Sequence, residues 1–252
     1  MLELSLTDKV AVVTGASRGL GQAIAVALAE AGADVALLGR SEADLELTAE
    51  EVRRHGRRAL CMVTDVTSEE SVEEAAAMVT DKWGRVDVLV NNAGVAEVVP
   101  LLEMSLAQLR RVIDTNIVGT FLCSRAFGAH MVAQQRGTII NVASISGLRG
   151  EPDLTAYAAS KGAVIAFTKG LAVEWARHNV TVNAVAPGWF RTDMNKKALD
   201  HLEIGPKLVA RIPQRRVGQP EELGPLVVYL ASDLARFMTG SIVVMDGGQS
   251  AR

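Results

Sequence analysis

Seven short apolar runs alternate along this chain with longer stretches of helical periodicity, and that alternation limits the fold more than any other feature. The runs cover residues 10–14, 34–38, 58–63, 86–90, 138–142, 181–185 and 241–245. Helical patterning covers 21–31, 42–55, 68–83, 105–134, 156–178 and 220–231. The runs are nearly continuously apolar, without the polar alternation of a strand that has one wet face, so they predict strands covered on both sides. Strands alternating with helices through short connections imply right-handed crossovers and a parallel sheet with helices on both faces. The chain has 252 residues, 49% of them hydrophobic, enough for a sizeable core. No repeat, low-complexity tract or linker divides it, which predicts a single α/β domain over 1–252.

Several classes of function are disfavoured. The net charge of −3 gives no electrostatic argument for nucleic acid or a membrane surface. The opening Met1-Leu2-Glu3-Leu4-Ser5-Leu6-Thr7-Asp8 carries acids and no long apolar core, unlike a signal peptide, and no apolar stretch is long enough to span a bilayer. Cys61 and Cys123 both fall in apolar segments and are expected to be buried thiols, not a disulfide. His55, His130, His178 and His201 lack metal-ligand spacing, so no metal site is expected. A cytoplasmic compartment is expected.

The first strand runs into Gly15-Ala16-Ser17-Arg18-Gly19-Leu20-Gly21 and then an Ala-rich helix. Strand, glycine turn and helix are what a nucleotide phosphate site needs. Glycines let the backbone approach the phosphates, and the helix N-terminus offers free N–H groups and a positive dipole end. No Gly-Lys-Ser/Thr follows, which disfavours a triphosphate loop. Further on, Tyr157 and Lys161 stand four apart and share a helix face. An ammonium beside a phenol favours phenolate and suits proton transfer near neutral pH. Asp65-Val66, Asn91-Asn92-Ala93-Gly94, Ser144 and Pro187-Gly188 each follow a predicted strand. They therefore converge on the carboxyl rim of the sheet, where open α/β sheets bind ligands.

Over essentially its whole length the chain resembles a short-chain dehydrogenase/reductase. The matching elements are Thr14-Gly15-x3-Gly19-x-Gly21, Asp65-Val66, Asn91-Asn92-Ala93-Gly94, Asn116, Ser144, Tyr157-x3-Lys161, Pro187-Gly188 and Asp246-Gly247-Gly248. The resemblance implies a Rossmann-type, doubly wound, seven-stranded sheet. It implies that Tyr157 is the general acid in reduction and the base in oxidation. Lys161 would lower its pKa and reach the cofactor ribose, Ser144 would bind the substrate oxygen, and Asn116 would position a water. The implied cofactor contacts are Gly15, Ser17, Arg18, Gly19, Leu20, Gly21, Arg40, Ser41, Asp65, Val66, Asn92, Ala93, Gly94, Tyr157, Lys161, Pro187, Gly188 and Thr192. Asp65 would meet the adenine amino group, and Asn91 would support the loop beside the adenosine ribose.

An NAD enzyme of such a family usually carries an acid at the end of the second strand. Here Gly39 stands there, followed by Arg40, and Arg18 lies in the glycine turn. Two guanidinium groups suit a 2′-phosphate, so NADP(H) is expected over NAD(H). The family implies a substrate lid at about 189–216, where seven basic residues face three acids. That excess suggests an anionic substrate, and Glu97, Ser146, Arg149, Glu151 and Trp189 are candidate pocket residues. The segments around Tyr157–Val164 and Ala186–Met194 are similar to gluconate 5-dehydrogenases, while the glycine turn resembles 3-oxoacyl-carrier-protein reductases. A sugar-acid or broad carbonyl substrate is expected, with the acyl-carrier reaction as the alternative. A non-catalytic NADP(H)-binding sensor or scaffold is the alternative of another class. Apolar residues on several faces of the helix after Tyr157 (Val164, Ile165, Phe167, Leu171, Val173, Trp175) suggest an oligomer. The family implies a homotetramer, with residues 241–252 as a second contact.

Overall fold

A computed structural model describes residues 4–193 and 195–251. The expected parallel sheet is present. Its first strand, β1 (Val10–Thr14), is flanked on one side by β2 (Asp34–Gly39) and then β3 (Ala59–Val63). On the other side lie β4 (Val88–Asn91), β5 (Gly137–Val142), β6 (Val180–Pro187) and β7 (Ile242–Met245). The order is β3-β2-β1-β4-β5-β6-β7, with every neighbouring pair parallel. Chain order reverses between β1 and β4, so a crevice opens beyond their carboxyl ends, where such sheets take ligands.

Successive β1 residues serve opposite layers. Ala11 and Val13 pack with helices α1 (Gly19–Glu30) and α2 (Glu42–Arg54), through Ile24, Leu28 and Leu45. Val10 and Val12 pack with α3 (Glu69–Trp83), through Val72 and Val79. That period of two inside an all-apolar run is what double coverage requires. Helix caps follow local chemistry: Ser41 and Ser68 each accept a backbone N–H three residues on, and left-handed Gly84 closes α3.

The longest expected helix, 105–134, is interrupted. It divides into α4 (Leu106–Ile113), a π-helical turn over Asp114–Val118 and α5 (Gly119–Ala133). One extra residue in the hydrogen-bonding register has no signature in residue type, and here it brings Asn116 inward, where it is buried. The expected strand 86–90 starts two residues later, because the Asp87 carboxylate accepts the Val10 N–H and pairs with Arg85. The sixth strand runs on to Pro187. Helix α6 (Thr155–Trp175) ends in a 3-10 turn over Ala176–His178. The segment 189–216 holds two short helices that the sequence reading left unassigned, α7 (Lys196–Asp200) and α8 (Ile204–Ala210). Helix α9 (Gly224–Ala231) follows a 3-10 turn at Pro220–Leu223.

Both cysteines are free, but only Cys123 is buried. Cys61 is half-buried because β3 is an edge strand, and its Sγ lies 3.4 Å from Glu46 Oε2. Among the described residues no helix is long and apolar enough to cross a membrane, and no group of three or more His, Cys, Asp or Glu is placed to hold a metal.

Candidate active site

The glycine turn is set by close approach. Gly15 and Gly19 have φ of +63° and +58°, conformations that favour glycine. A Cβ on Gly21 would lie 2.1 Å from the Gly15 carbonyl oxygen, so no larger residue fits beneath the turn. The first turn of α1 carries no acid and no side-chain cap. Among the described residues, nothing accepts the Gly19, Leu20 or Gly21 N–H. Bare donors at a positive dipole end make a cradle for a pyrophosphate, and the turn therefore fits a dinucleotide. Gly21→Ala is expected to lower Tm by at least about 4 °C and weaken NADPH binding, read by thermal melting and fluorescence titration.

The loop after β4 is fastened to this turn. Asn92 Nδ2 donates to the carbonyls of Thr14 (2.9 Å) and Gly15 (3.1 Å). Thr14 Oγ1 in turn accepts the N–H groups of Asn92 and Ala93, each at 3.0 Å. Asn92 thus shapes the cradle through its side chain. The expectation for Asn91 is corrected: it faces the core, with Nδ2 donating to Ser124 Oγ and Asn141 Oδ1. Adjacent residues at a strand end point to opposite faces, and the inward one is Asn91.

Ser144, Tyr157 and Lys161 meet at the end of β5. Ser144 sits just beyond that strand, its Oγ accepting the Ser146 N–H at 3.1 Å. Tyr157, in the first turn of α6, is near enough for the Ser144 hydroxyl to favour its ionised form. Lys161, one turn on, donates from Nζ to the Val142 carbonyl at 2.7 Å and lies 5.7 Å from the Tyr157 ring centroid. Burial pushes the Tyr157 phenol above its ordinary value, the nearby Ser144 hydroxyl opposes this, and the Glu151 charge adds to it. Burial lowers the Lys161 ammonium to about 8. The expected lowering of the phenol by Lys161 is therefore not the dominant effect here, because the ammonium is turned to a backbone carbonyl beside the ring. A phenol and a serine hydroxyl held together still form a donor pair for one carbonyl oxygen.

Two glycines allow this packing. A Cβ on Gly147 would lie 2.7 Å from the Lys161 carbonyl carbon, so the loop after Ser144 rests on the α6 backbone. One on Gly94 would be 3.3 Å from Asn116 Oδ1 and 3.4 Å from Lys161 Nζ, which brings the β4 loop against the same group. Asn116 is committed through its side chain. Its Oδ1 accepts the Val95 N–H, and its Nδ2 donates to Val95 O and Ser160 Oγ. The sequence reading missed Ser160, whose hydroxyl links Asn116 to the Tyr157 carbonyl. Only its place one residue before Lys161 could have drawn attention to it.

The remaining candidates divide into two groups. Ser146, Glu151 and Arg149 come together: Ser146 Oγ donates to Glu151 Oε2 at 2.6 Å, and Arg149 pairs with Glu151 Oε1 at 2.9 Å. Glu97 is instead paired with Arg111. Trp189 follows β6, its carbonyl accepting the Gly218 N–H. Pro187 ends β6 and Gly188 packs on Asp246. Thr192 would touch a Cβ on Gly19 at 3.5 Å, so the segment after β6 meets the glycine turn. Asp65 Oδ1 accepts from the Thr67 N–H and hydroxyl, and Val66 packs against Gly119. Ser41 caps α2, and Arg40, exposed at the end of β2, helps hold the Asp65 carboxyl below its ordinary value, after the two Thr67 bonds.

The basic charge of 189–216 is less available than the sequence suggests. Arg191 pairs with Asp200 and Arg216 with Glu222. A cavity of about 600 Å³ between α1 and the lid is lined by Arg18, Arg191 and Lys196, but also by Glu51, Asp193 and Glu221. None of Ser144, Tyr157 and Lys161 lines it. Arg18 reaches Asp193 across it at 4.0 Å. Met194 lies outside the described residues.

Comparison with known proteins agrees with this arrangement. A family model described as enoyl-(acyl carrier protein) reductase matches residues 15–250. A 3-oxoacyl-acyl-carrier-protein reductase from Synechocystis sp. is 41% identical, over 97% of this chain and 98% of its own. A galactitol 2-dehydrogenase from Rhizobium johnstonii is 42% identical, over 94% and 93%. A gluconate 5-dehydrogenase from Burkholderia cenocepacia, solved with NADP and tartrate, superposes with a TM-score of 0.95 at 34% identity, covering 99% of this chain and 98% of its own. The chain belongs to the short-chain dehydrogenase/reductase family, oxidoreductases of alcohols and ketones.

Proposed function

We propose that this protein interconverts a ketone and a secondary alcohol with NADP(H), and that its substrate is a sugar acid or related polyhydroxy carbonyl compound. The observation carrying the reading is the gathering of Ser144, Tyr157 and Lys161 at the end of β5, on the same sheet rim as the bare N-terminus of α1. The nicotinamide supplies or accepts the hydride. Ser144 and Tyr157 hold the substrate oxygen, and Tyr157 passes it a proton during reduction. Lys161 supports the phenolate formed in that step and binds the ribose, while Asn116 and Ser160 keep α6 in place. The lid at 189–216 closes over the substrate.

NADPH oxidation followed by absorbance tests the reading, with 5-keto-gluconate, an acetoacetyl thioester, a diketone and aryl ketones as substrates. Fast turnover of 5-keto-gluconate is expected. Preference for the thioester supports the second reading, an acyl-carrier reductase, which the relative from Synechocystis sp. favours. Absence of turnover throughout refutes both and favours a non-catalytic sensor. The preference for NADP(H) rests on Gly39 in place of an acid and on exposed Arg40. Arg40→Ala is expected to lower the NADPH-to-NADH ratio of kcat/KM by about tenfold, and an unchanged ratio refutes the assignment.

A homotetramer belongs to the same proposal. Val164, Ile165 and Leu171 lie in the protein's own core, Phe167 packs against that core and Trp175 covers Gly128, so five of the six residues that suggested an interface have partners within the chain. Val173 remains exposed on α6, as do Val118 in the π-helical turn, Phe121 on α5 and Val244 on β7. Light scattering at micromolar concentration is expected to give four times the chain mass. A monomer refutes the proposal.

A further inference from the structure

Ser146, Arg149 and Glu151 form a connected polar group next to the catalytic hydroxyls. The connection runs by single steps. Tyr157 neighbours Ser144, Ser144 Oγ accepts the Ser146 N–H, and Ser146 Oγ donates to Glu151 Oε2 at 2.6 Å. From the other side Arg149 NH2 donates to Glu151 Oε1 at 2.9 Å, while its NH1 reaches the Gln249 carbonyl at 3.3 Å. The loop after β5 is thereby tied to the chain's C-terminal turn.

Each Glu151 oxygen has one such protein donor, and a carboxylate offers about four acceptor positions. Two therefore remain for a ligand, and the side chain is 18% exposed. The ion pair is neutral as a unit, so it exerts little net attraction on a substrate's charge. What it presents close to the reacting oxygen is acceptor capacity. Glu151 is near enough for its charge to push the Tyr157 phenol upward.

We propose that Glu151, fixed by Ser146 and Arg149, accepts a hydrogen bond from a hydroxyl on the carbon next to the reacting carbonyl, so that the enzyme selects α-hydroxyketones and the matching vicinal diols. This rests on the oxidoreductase reading above and sharpens its substrate class. A sugar acid or a polyol supplies that hydroxyl. A 3-oxoacyl thioester places a methylene there, which would leave the carboxylate facing carbon and hydrogen, desolvated and unpaired. The same chemistry gives Ser146 and Arg149 positioning roles, since each holds one oxygen of the carboxylate.

The test compares 1-hydroxy-2-butanone with 2-butanone, alongside 5-keto-gluconate, using NADPH and NADH with the wild-type protein, Glu151→Gln and Glu151→Ala. The wild type is expected to favour the hydroxyketone by at least about tenfold in kcat/KM. That ratio is expected to fall towards one in Glu151→Ala and to an intermediate value in Glu151→Gln. A general structural defect would lower both ketones alike and leave the ratio in place. Equal kcat/KM for the two ketones in the wild type overturns the inference without any variant. So does a ratio that survives in Glu151→Ala. Absence of turnover with every ketone overturns the oxidoreductase reading itself.

Discussion

Tyr157→Phe is expected to lower kcat by about 10²–10⁴-fold while NADPH affinity changes by less than about twofold. The substitution removes one oxygen and keeps the ring. The ring's place in α6 and the neighbouring Lys161–Val142 bond do not depend on that oxygen. Ser144 remains to hold the substrate, but the phenol proposed to supply the proton is gone. Steady-state rates together with a fluorescence titration of NADPH check both parts. Turnover within tenfold of wild type would remove Tyr157 from the chemistry.

Lys161→Met is expected to reduce kcat/KM by about 100-fold or more and to change the pH dependence of stability. The activity loss follows from removing the cation beside the phenol and the proposed ribose contact. The stability effect follows from burial. Lys161 falls from an ordinary 10.5 to about 8 in the folded chain. Below about 8 both states carry the ammonium, and the folded state bears the cost of burying it. Between about 8 and 10.5 the folded state has released a proton that the unfolded chain still binds, so wild-type stability gains with rising pH. Methionine has no such gain. The Tm of Lys161→Met minus that of the wild type is therefore expected to fall as pH rises through that window. A difference that stays flat would mean that the ammonium is not desolvated.

The alternating pattern made the sheet legible, because the strands are nearly continuously apolar and each but the last is followed by helical chain that crosses back. The convergence of Gly15, Asn92, Ser144 and Gly188 on one rim followed from the same pattern. What stayed hidden depends on hydrogen-bond register and on side chains that meet only after folding. The π turn at Asn116 leaves residue types unchanged and alters only which carbonyl each N–H meets. Asn91 and Asn92 look equivalent in sequence, but strand pleating sends one into the core and the other to the glycine turn. The lid shows the limit of counting charges. Its excess of basic residues is real, but Arg191 and Arg216 are drawn into pairs with Asp200 and Glu222. Ser160 could not be distinguished from any other helical serine until Asn116 was seen to reach it.

The central claim is that Ser144 and Tyr157 hold a carbonyl oxygen while hydride passes between a nicotinamide and the carbonyl carbon. Its most direct test uses NADPH bearing deuterium at the transferable position of the nicotinamide ring, with 5-keto-gluconate as acceptor and the product read by mass spectrometry. One deuterium on the carbinol carbon is expected with the wild type, at a rate that falls by about 10²-fold or more in Tyr157→Phe. Alcohol formed without deuterium, or formed equally fast without the Tyr157 hydroxyl, would contradict the claim.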